Sequence, residues 1–181
     1  DVLELMKNEP KICNYIDIPL QHISDKILKS MRRGTTYEKT TQLLKDFRTL
    51  VPEMAIRTTL IVGYPGETEE DFSATLDLTT QAEFSAAYTY KYSIRPGTTA
   101  GEMPNQVPDE IVGERYTRLH EHQQKISLAV NQKAVGSVHR ALVSEVEGRR
   151  DEVQSRMTGK TEDFRIVHFS QDTDARPGDF V

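Results

Sequence analysis

The residues best suited to chemistry lie in one stretch, Arg57-Thr-Thr-Leu-Ile-Val-Gly63-Tyr-Pro-Gly66-Glu-Thr68-Glu-Glu-Asp71-Phe72. Leu60, Ile61 and Val62 are an apolar run bounded by turn residues, which predicts a parallel strand covered on both faces. Gly63 and Gly66 permit backbone angles that other residues avoid and let a ligand come close to the main chain. Thr68 with Asp71 three residues on forms a capping-box-like helix start, and Glu69 and Glu70 add negative charge to its first turn. A strand, a glycine turn and a helix N-terminus in this order suit a ligand pocket at the carboxyl end of a parallel sheet. They also describe a plain, tight strand-to-helix connection, and spacing alone leaves both readings open.

Elsewhere the chemistry is sparser. Cys13 is the only cysteine among 181 residues. It permits no disulfide within the chain and no cysteine-rich metal signature, and reads as a small buried hydrophobe at a strand edge. Arg57 either lines the strand-end pocket or forms an ordinary ion pair. His22 is a polar pocket residue or a loop histidine. Arg95, beside Pro96, reaches a substrate mouth or simply fixes a turn. Near the end, Arg149, Arg150, Arg156, Lys160 and Arg165 suit RNA phosphates, with Phe164 able to stack on a base. Residues 136–181 nevertheless carry seven Lys/Arg against nine Asp/Glu, so such a patch is local, and a solvated charged surface is the alternative.

The elements that must position these groups follow from periodicity and punctuation. Residues 15–20 read as a short strand ending near Pro19. Ser24 is a good N-cap for a helix carrying Ile27, Leu28 and Met31 on one face and stopped by Gly34. A second helix spans about 37–51, with Leu43, Leu44, Phe47, Leu50 and Val51 as its stripe and Pro52 at its end. A strand over 56–62, a helix from Thr68 to about Glu83, and a Tyr-rich strand over 86–92 complete a β/α alternation, which implies a parallel sheet. A long helix then runs from about Pro108 to Lys133. Gly136 marks a domain boundary, giving units 1–135 and 136–181. The second shows short strands at 138–146, 154–158 and 164–169, with a stub at Phe180, punctuated by Gly148, Gly159 and Gly178. That is the pattern of a small β-barrel.

The net charge is −5, from 23 Lys/Arg against 28 Asp/Glu, which argues against a generally sticky nucleic-acid binder. The sequence has no signal peptide and no long apolar run, so a soluble cytoplasmic protein without membrane contact is expected. Asp1 is not an initiator methionine, and the last residues read as a strand cut short. Both ends predict a piece of a longer protein.

Several motifs, in order, resemble the carboxyl-terminal part of the radical S-adenosylmethionine methylthiotransferases: Pro19-Leu-Gln21-His22, Met31-Arg-Arg33-Gly34, the Gly63 to Phe72 stretch, Tyr90-Lys-Tyr-Ser-Ile-Arg95-Pro-Gly-Thr98 and Gln106-Val-Pro108. The resemblance implies an α/β fold, half of a TIM-like barrel, followed by a truncated small β-barrel of the RNA-binding TRAM type. The halves resemble different branches. Residues 1–66 are similar to enzymes that methylthiolate an aspartate of a small-subunit ribosomal protein. From about Thr75 the chain is similar to enzymes that modify an isopentenylated adenosine near the anticodon of tRNA, the substrate favoured here because the terminal barrel faces it.

By the same resemblance, the cofactors are S-adenosylmethionine and [4Fe–4S] clusters. Cluster binding needs a Cys-x-x-x-Cys-x-x-Cys loop, since thiolates suit iron–sulfur clusters, and this chain has none. The cluster-bearing amino-terminal segment and an electron donor such as flavodoxin are therefore expected as partners beside tRNA or the ribosomal protein, and the isolated chain is expected to be inactive. Gln21 matches a strand-end residue that bonds the ribose. Arg33 matches an arginine that meets the methionyl carboxylate, a role suited to a guanidinium fork. Thr59 falls where relatives place an acidic residue, and Val62 and Gly63 would lie near the adenine. A non-catalytic RNA-binding module is the reading of another class.

Overall fold

Three parallel strands carry the first part of the chain, in a computed structural model that describes residues 2–144, 156–170 and 174–181. Strands β1 (Tyr15–Gln21), β2 (Ala55–Val62) and β3 (Ala86–Lys91) lie side by side in sequence order, with β2 in the centre. Arg57 is level with Asp17 on one side and Ala86 on the other. The crossovers are helical: α1 (Val2–Asn8) precedes β1, α2 (Asp25–Ser30) and α3 (Tyr37–Leu50) connect β1 to β2, and α4 (Glu69–Ala82) connects β2 to β3. A one-turn 3₁₀ segment (Ala100–Glu102) and a 24-residue helix, α5 (Asp109–Gln132), follow.

Local chemistry explains most boundaries. Thr36 caps α3 by accepting from the Lys39 amide. Thr68 and Asp71 complete both halves of the capping box expected for α4. By contrast, Ser24 makes no side-chain cap on α2. Its hydroxyl donates instead to Asp71 Oδ1 at 2.6 Å.

The stop signal of α2 differs from expectation. The helix ends at Ser30, with Met31 as C-cap rather than on the apolar face. The Arg33 amide donates to the Leu28 carbonyl and the Arg32 amide to that of Lys29. This is the Schellman pattern. The left-handed position falls on Arg32, at φ 57°, and not on Gly34.

The core lies on one face of the parallel sheet. Ile56, Leu60 and Val62 meet Leu44, Phe47, Phe72, Leu78 and Phe84 there, and Val112 and Leu119 of α5 join them. Phe72 and Phe84 are wholly buried, each worth about 1.5–3 kcal/mol relative to exposure. The expectation of burial on both faces is corrected. Burial alternates along β2: Ile56, Thr58, Leu60 and Val62 are buried, whereas Arg57, Thr59 and Ile61 are only half-buried. The neighbouring Tyr88 and Tyr90 on β3 are about half exposed, at 50% and 52%. One face is thus packed by helices and the other left open, and an apolar run of three residues cannot distinguish these cases.

The second unit is an antiparallel sheet in the order β4 (Ala141–Val143), β5 (Arg156–Thr161) and β6 (Ile166–Ser170), with an isolated bridge from Leu142 to Phe180. The strands expected at 138–146, 154–158 and 164–169 correspond to β4, β5 and β6: residues 138–140 and 144 are not strand, β5 runs on to Thr161, β6 starts at Ile166, and 145–146 and 154–155 lie outside the described residues. No closed sheet occurs among the described residues, so a barrel is not observed. Gly148 lies outside them. Gly159 sits inside β5 and punctuates nothing. A Cβ there would stand 2.8 Å from the Leu142 carbonyl oxygen, so glycine is what lets β4 approach. Cys13 is exposed rather than buried, because it precedes β1 on the surface.

Candidate functional site

The carboxyl ends of β1 and β2 converge on one buried carboxylate. Glu67 Oε2 accepts from the Gly63 amide at 2.6 Å, and Glu67 Oε1 accepts from Arg115 Nη1 at 3.0 Å. The same Arg115 nitrogen also donates to the Glu67 carbonyl at 3.1 Å, and Arg115 Nε reaches Glu69. Both partners of the pair are nearly inaccessible: the Glu67 side chain is 0% exposed and that of Arg115 6%. A buried ion pair is costly unless its polar atoms are satisfied, and these bonds supply that satisfaction.

His22 approaches the same carboxylate from β1. Its Nδ1 accepts from the amides of Ile23 and Ser24, at 2.9 and 3.0 Å. That leaves the ring proton on Nε2, which faces Glu67 Oε2 at 3.6 Å. His22 is 2% exposed. It is a loop histidine, in the connection from β1 to α2, and a buried group fixed by its neighbours' amides.

A second junction joins α2 to α4. Asp71 accepts from Ser24 Oγ, from the Thr68 amide at 2.8 Å and from Thr68 Oγ1, and pairs with Lys26 at 2.5 Å. Burial alone would raise the Asp71 pKa. The hydrogen bonds from Lys26, Ser24 and Thr68 outweigh it and hold the carboxyl well below the usual carboxylate range.

The glycine turn is filled by the protein itself. A Cβ on Gly63 would stand 2.7 Å from Val112 Cγ1, and one on Gly66 would stand 2.5 Å from Asn105 Nδ2. Both glycines have positive φ, 78° and 82°. The close approach they permit is used by α5 and its preceding loop. Of the two readings of this stretch, the tight connection accounts for every contact of its glycines.

The sequence-derived pocket residues fall in different settings. Gln21 is half-buried at the end of β1 and holds φ 69°, a left-handed conformation uncommon outside glycine. The β1–β2 register shifts between Ile18 and Gln21. Thr59 sits half-buried on the open face, level with Tyr88. Val62 is 1% exposed and belongs to the helix-covered core, so its side chain is not on the open face. The Gly63 amide is already engaged by Glu67. Arg33 is exposed, and among the described residues its side chain makes no hydrogen bond or ion pair. It lies beyond the end of α2 rather than in its last turn.

Arg57 resolves to an ion pair. It donates to Asp17 Oδ2 from Nε and Nη2, at 2.9 and 2.5 Å, with its guanidinium carbon 5.5 Å and 5.1 Å from the rings of Tyr15 and Tyr88. These residues lie near the amino ends of the strands. A cleft of about 950 Å³ opens at that end, and Cys13, Asn14, Ala55, Ser85, Arg140 and Arg165 are among the residues that line it.

Among the expected RNA-facing residues, Arg149 and Arg150 lie outside the described residues. Lys160 is exposed on β5, and Arg156 is half-buried at its start. Arg165 is half-buried and pairs with Asp163 at 2.8 Å. Lys160 Nζ lies 5.7 Å from the centroid of Phe164. Phe164 itself stacks on Tyr15. Arg95 is exposed, and its carbonyl accepts from the amide and hydroxyl of Thr98, so the turn reading holds for its backbone.

Sequence reasoning missed the roles of His22, Glu67 and Arg115. Glu67 lay inside the stretch singled out, four residues past Gly63, and that spacing was its only signal. Nothing marks Arg115 in the sequence. Among the described residues, no three His, Cys, Asp or Glu side chains gather as a metal site, and no helix is long and apolar enough to cross a membrane.

The relatives are consistent along the whole chain. It is 48% identical over 181 residues to a protein of Mycolicibacterium paratuberculosis named tRNA-2-methylthio-N(6)-dimethylallyladenosine synthase, covering all of this chain and 35% of that protein. The protein of the same name in Mycolicibacterium smegmatis is 49% identical over 182 residues, with 36% of it covered. In Corynebacterium urealyticum the figures are 47% and 34%. The chain thus spans about a third of the length of these relatives. Among solved structures, coproporphyrinogen III oxidase (HemN) of Escherichia coli, a radical SAM enzyme, superposes with a TM-score of 0.50 at 13% identity, over 95% of this chain and 38% of that one. It shares the fold alone. Residues 1–79 match the family model of the Radical SAM superfamily, and they contain every strand end and turn of the candidate site except the end of β3.

Proposed function

We propose that this chain is part of a radical S-adenosylmethionine methylthiotransferase that adds a methylthio group to an isopentenylated adenosine of tRNA. One observation carries the reading. Identity of 46–49% to relatives named for that reaction extends over all of the chain, both halves included. The ribosomal-protein reading of residues 1–66 draws on the Tyr15 to His22 stretch and on Met31-Arg-Arg-Gly34.

The fit of the cofactors differs between the two. The described residues supply no cluster ligands: no metal-binding group is formed, and Cys13 lies at the amino end of the sheet. Clusters would be held by another segment of the same protein. For S-adenosylmethionine the chain offers a half-buried Gln21 at a strand end, Thr59 on the open face, and an Arg33 guanidinium uncommitted among the described residues. The cofactor and cluster, when bound, supply radical chemistry. The residues here orient: Gln21 toward a ribose hydroxyl, Arg33 as counter-charge to a carboxylate, and the open face of β1–β3 as one wall excluding water. Val62 and Gly63 would act only through backbone and packing.

The terminal sheet, read as part of a TRAM-type barrel, would meet RNA through Lys160, Arg156, Arg149 and Arg150. An electron donor such as flavodoxin and a cytoplasmic location complete the reading. The test joins this chain to a cluster-bearing amino-terminal segment and expresses it in cells lacking their own methylthiotransferases. Mass spectrometry of tRNA nucleosides should show methylthio-adenosine. Methylthio-aspartate on a small-subunit ribosomal protein instead would transfer the substrate to the other branch. Neither product, from a folded and cluster-loaded protein, would sink the proposal.

A further inference from the structure

We infer that Glu67 and Arg115 are positioning residues for the cofactor pocket, a paired brace that holds the end of β1 and the turn after β2 in one arrangement; this rests on the reading that those strand ends hold S-adenosylmethionine. Three observations converge. First, the Glu67 carboxylate is wholly buried and takes the Gly63 amide, so the turn that follows β2 closes on it. Second, His22 is locked by the amides of Ile23 and Ser24 with its Nε2 turned to the same carboxylate. His22 directly follows Gln21, whose φ of 69° is a strained conformation. Such strain persists only where the surroundings over-determine it, and it concentrates at functional sites. Third, Arg115 belongs to α5, which is remote in sequence, and reaches back to Glu67 through both its carboxylate and its carbonyl.

A hydrophobic pair of the same volume would serve stability as well as this ion pair. What apolar side chains cannot do is bind an amide, face an imidazole and fix a carbonyl at one point. The brace therefore specifies geometry. Removing Arg115 leaves a buried carboxylate free to turn toward water, and both strand ends move with it.

The test uses the full-length parent enzyme with its clusters reconstituted, as wild type and as E67Q, R115M, R115K and E67Q/R115M. Binding of S-adenosylmethionine is measured by calorimetry, and melting by circular dichroism. E67Q and R115M should each weaken binding by about fivefold or more. R115K should recover part of the loss, and the double variant should be no worse than the poorer single one. Lower melting temperatures with unchanged affinity overturn the inference, as do losses that simply add. If E67Q fails to fold, R115M and R115K carry the same comparison. A wild-type enzyme that does not bind S-adenosylmethionine overturns the functional reading itself, whereas wild-type binding with unaffected variants overturns the brace alone.

Discussion

Tyr15 and Phe164 stack face to face, with ring centroids 4.0 Å apart and planes 14° apart. One ring begins the parallel sheet and the other lies in the turn between β5 and β6, so the pair joins the two units. Burial by such neighbours pushes the Tyr15 hydroxyl pKa up. Phe164 is 45% exposed, and Tyr15 covers one face of its ring. Phe164→Ala should cost about 0.5–1.5 kcal/mol beyond the lost area. Hydrogen exchange should read it as faster opening of β5 and β6, with β2 unaffected. Unchanged protection in the terminal sheet would mean the stack does not couple the units.

Asp71 gives a pH signature. Its folded-state pKa is depressed, because the hydrogen bonds from Lys26, Ser24 and Thr68 overcome the opposing effect of burial. Its contribution is therefore present above the unfolded-state value of about 3.9 and is lost as pH falls through the folded-state value. Asp71→Asn should lower stability by about 1 kcal/mol at neutral pH, as for a lost cap. The gap to wild type should narrow progressively below about pH 4 in urea melts. A gap that stays constant down to the acid limit would remove the charge from the argument.

Gly63 tests the turn. Its φ of 78° and the nearness of Val112 are separate obstacles to a side chain. Gly63→Ala should destabilise by more than about 1 kcal/mol. Adding Val112→Ala should relieve the collision and leave the backbone penalty, so thermal melts of the double variant should recover only part of the loss. Full recovery would show that sterics alone demanded glycine.

How much of this was legible can be argued residue by residue. The strand–turn–helix order around Gly63, the capping box of Thr68 and Asp71, and the extent of α3 and α5 were readable because each depends on neighbours within a few positions. The end of α2 was not, since the Schellman bonds put the left-handed residue at Arg32 while the only glycine nearby is Gly34. The open face of β2 was hidden because Leu60, Ile61 and Val62 look the same whether one face or two are covered. Arg115 was invisible for a further reason. It lies 48 residues from Glu67, and a buried arginine in an exposed-looking helical sequence carries no mark of its partner.

Arg33 separates the cofactor reading from a structural one. Its amide is committed to the Schellman turn, but its guanidinium holds nothing among the described residues. Arg33→Ala keeps the amide, so the turn and the melting temperature should stay as in the wild type. If the guanidinium meets the carboxylate of S-adenosylmethionine, the intact enzyme should bind the cofactor more weakly by up to about 3 kcal/mol, as when one member of a buried charge pair is removed. Arg33→Lys should recover charge but not the planar fork, and so only part of the affinity. Calorimetry on the cluster-loaded protein decides between them. Equal affinity across all three would place Arg33 outside the pocket and leave Gln21 and Thr59 as the residues to vary next.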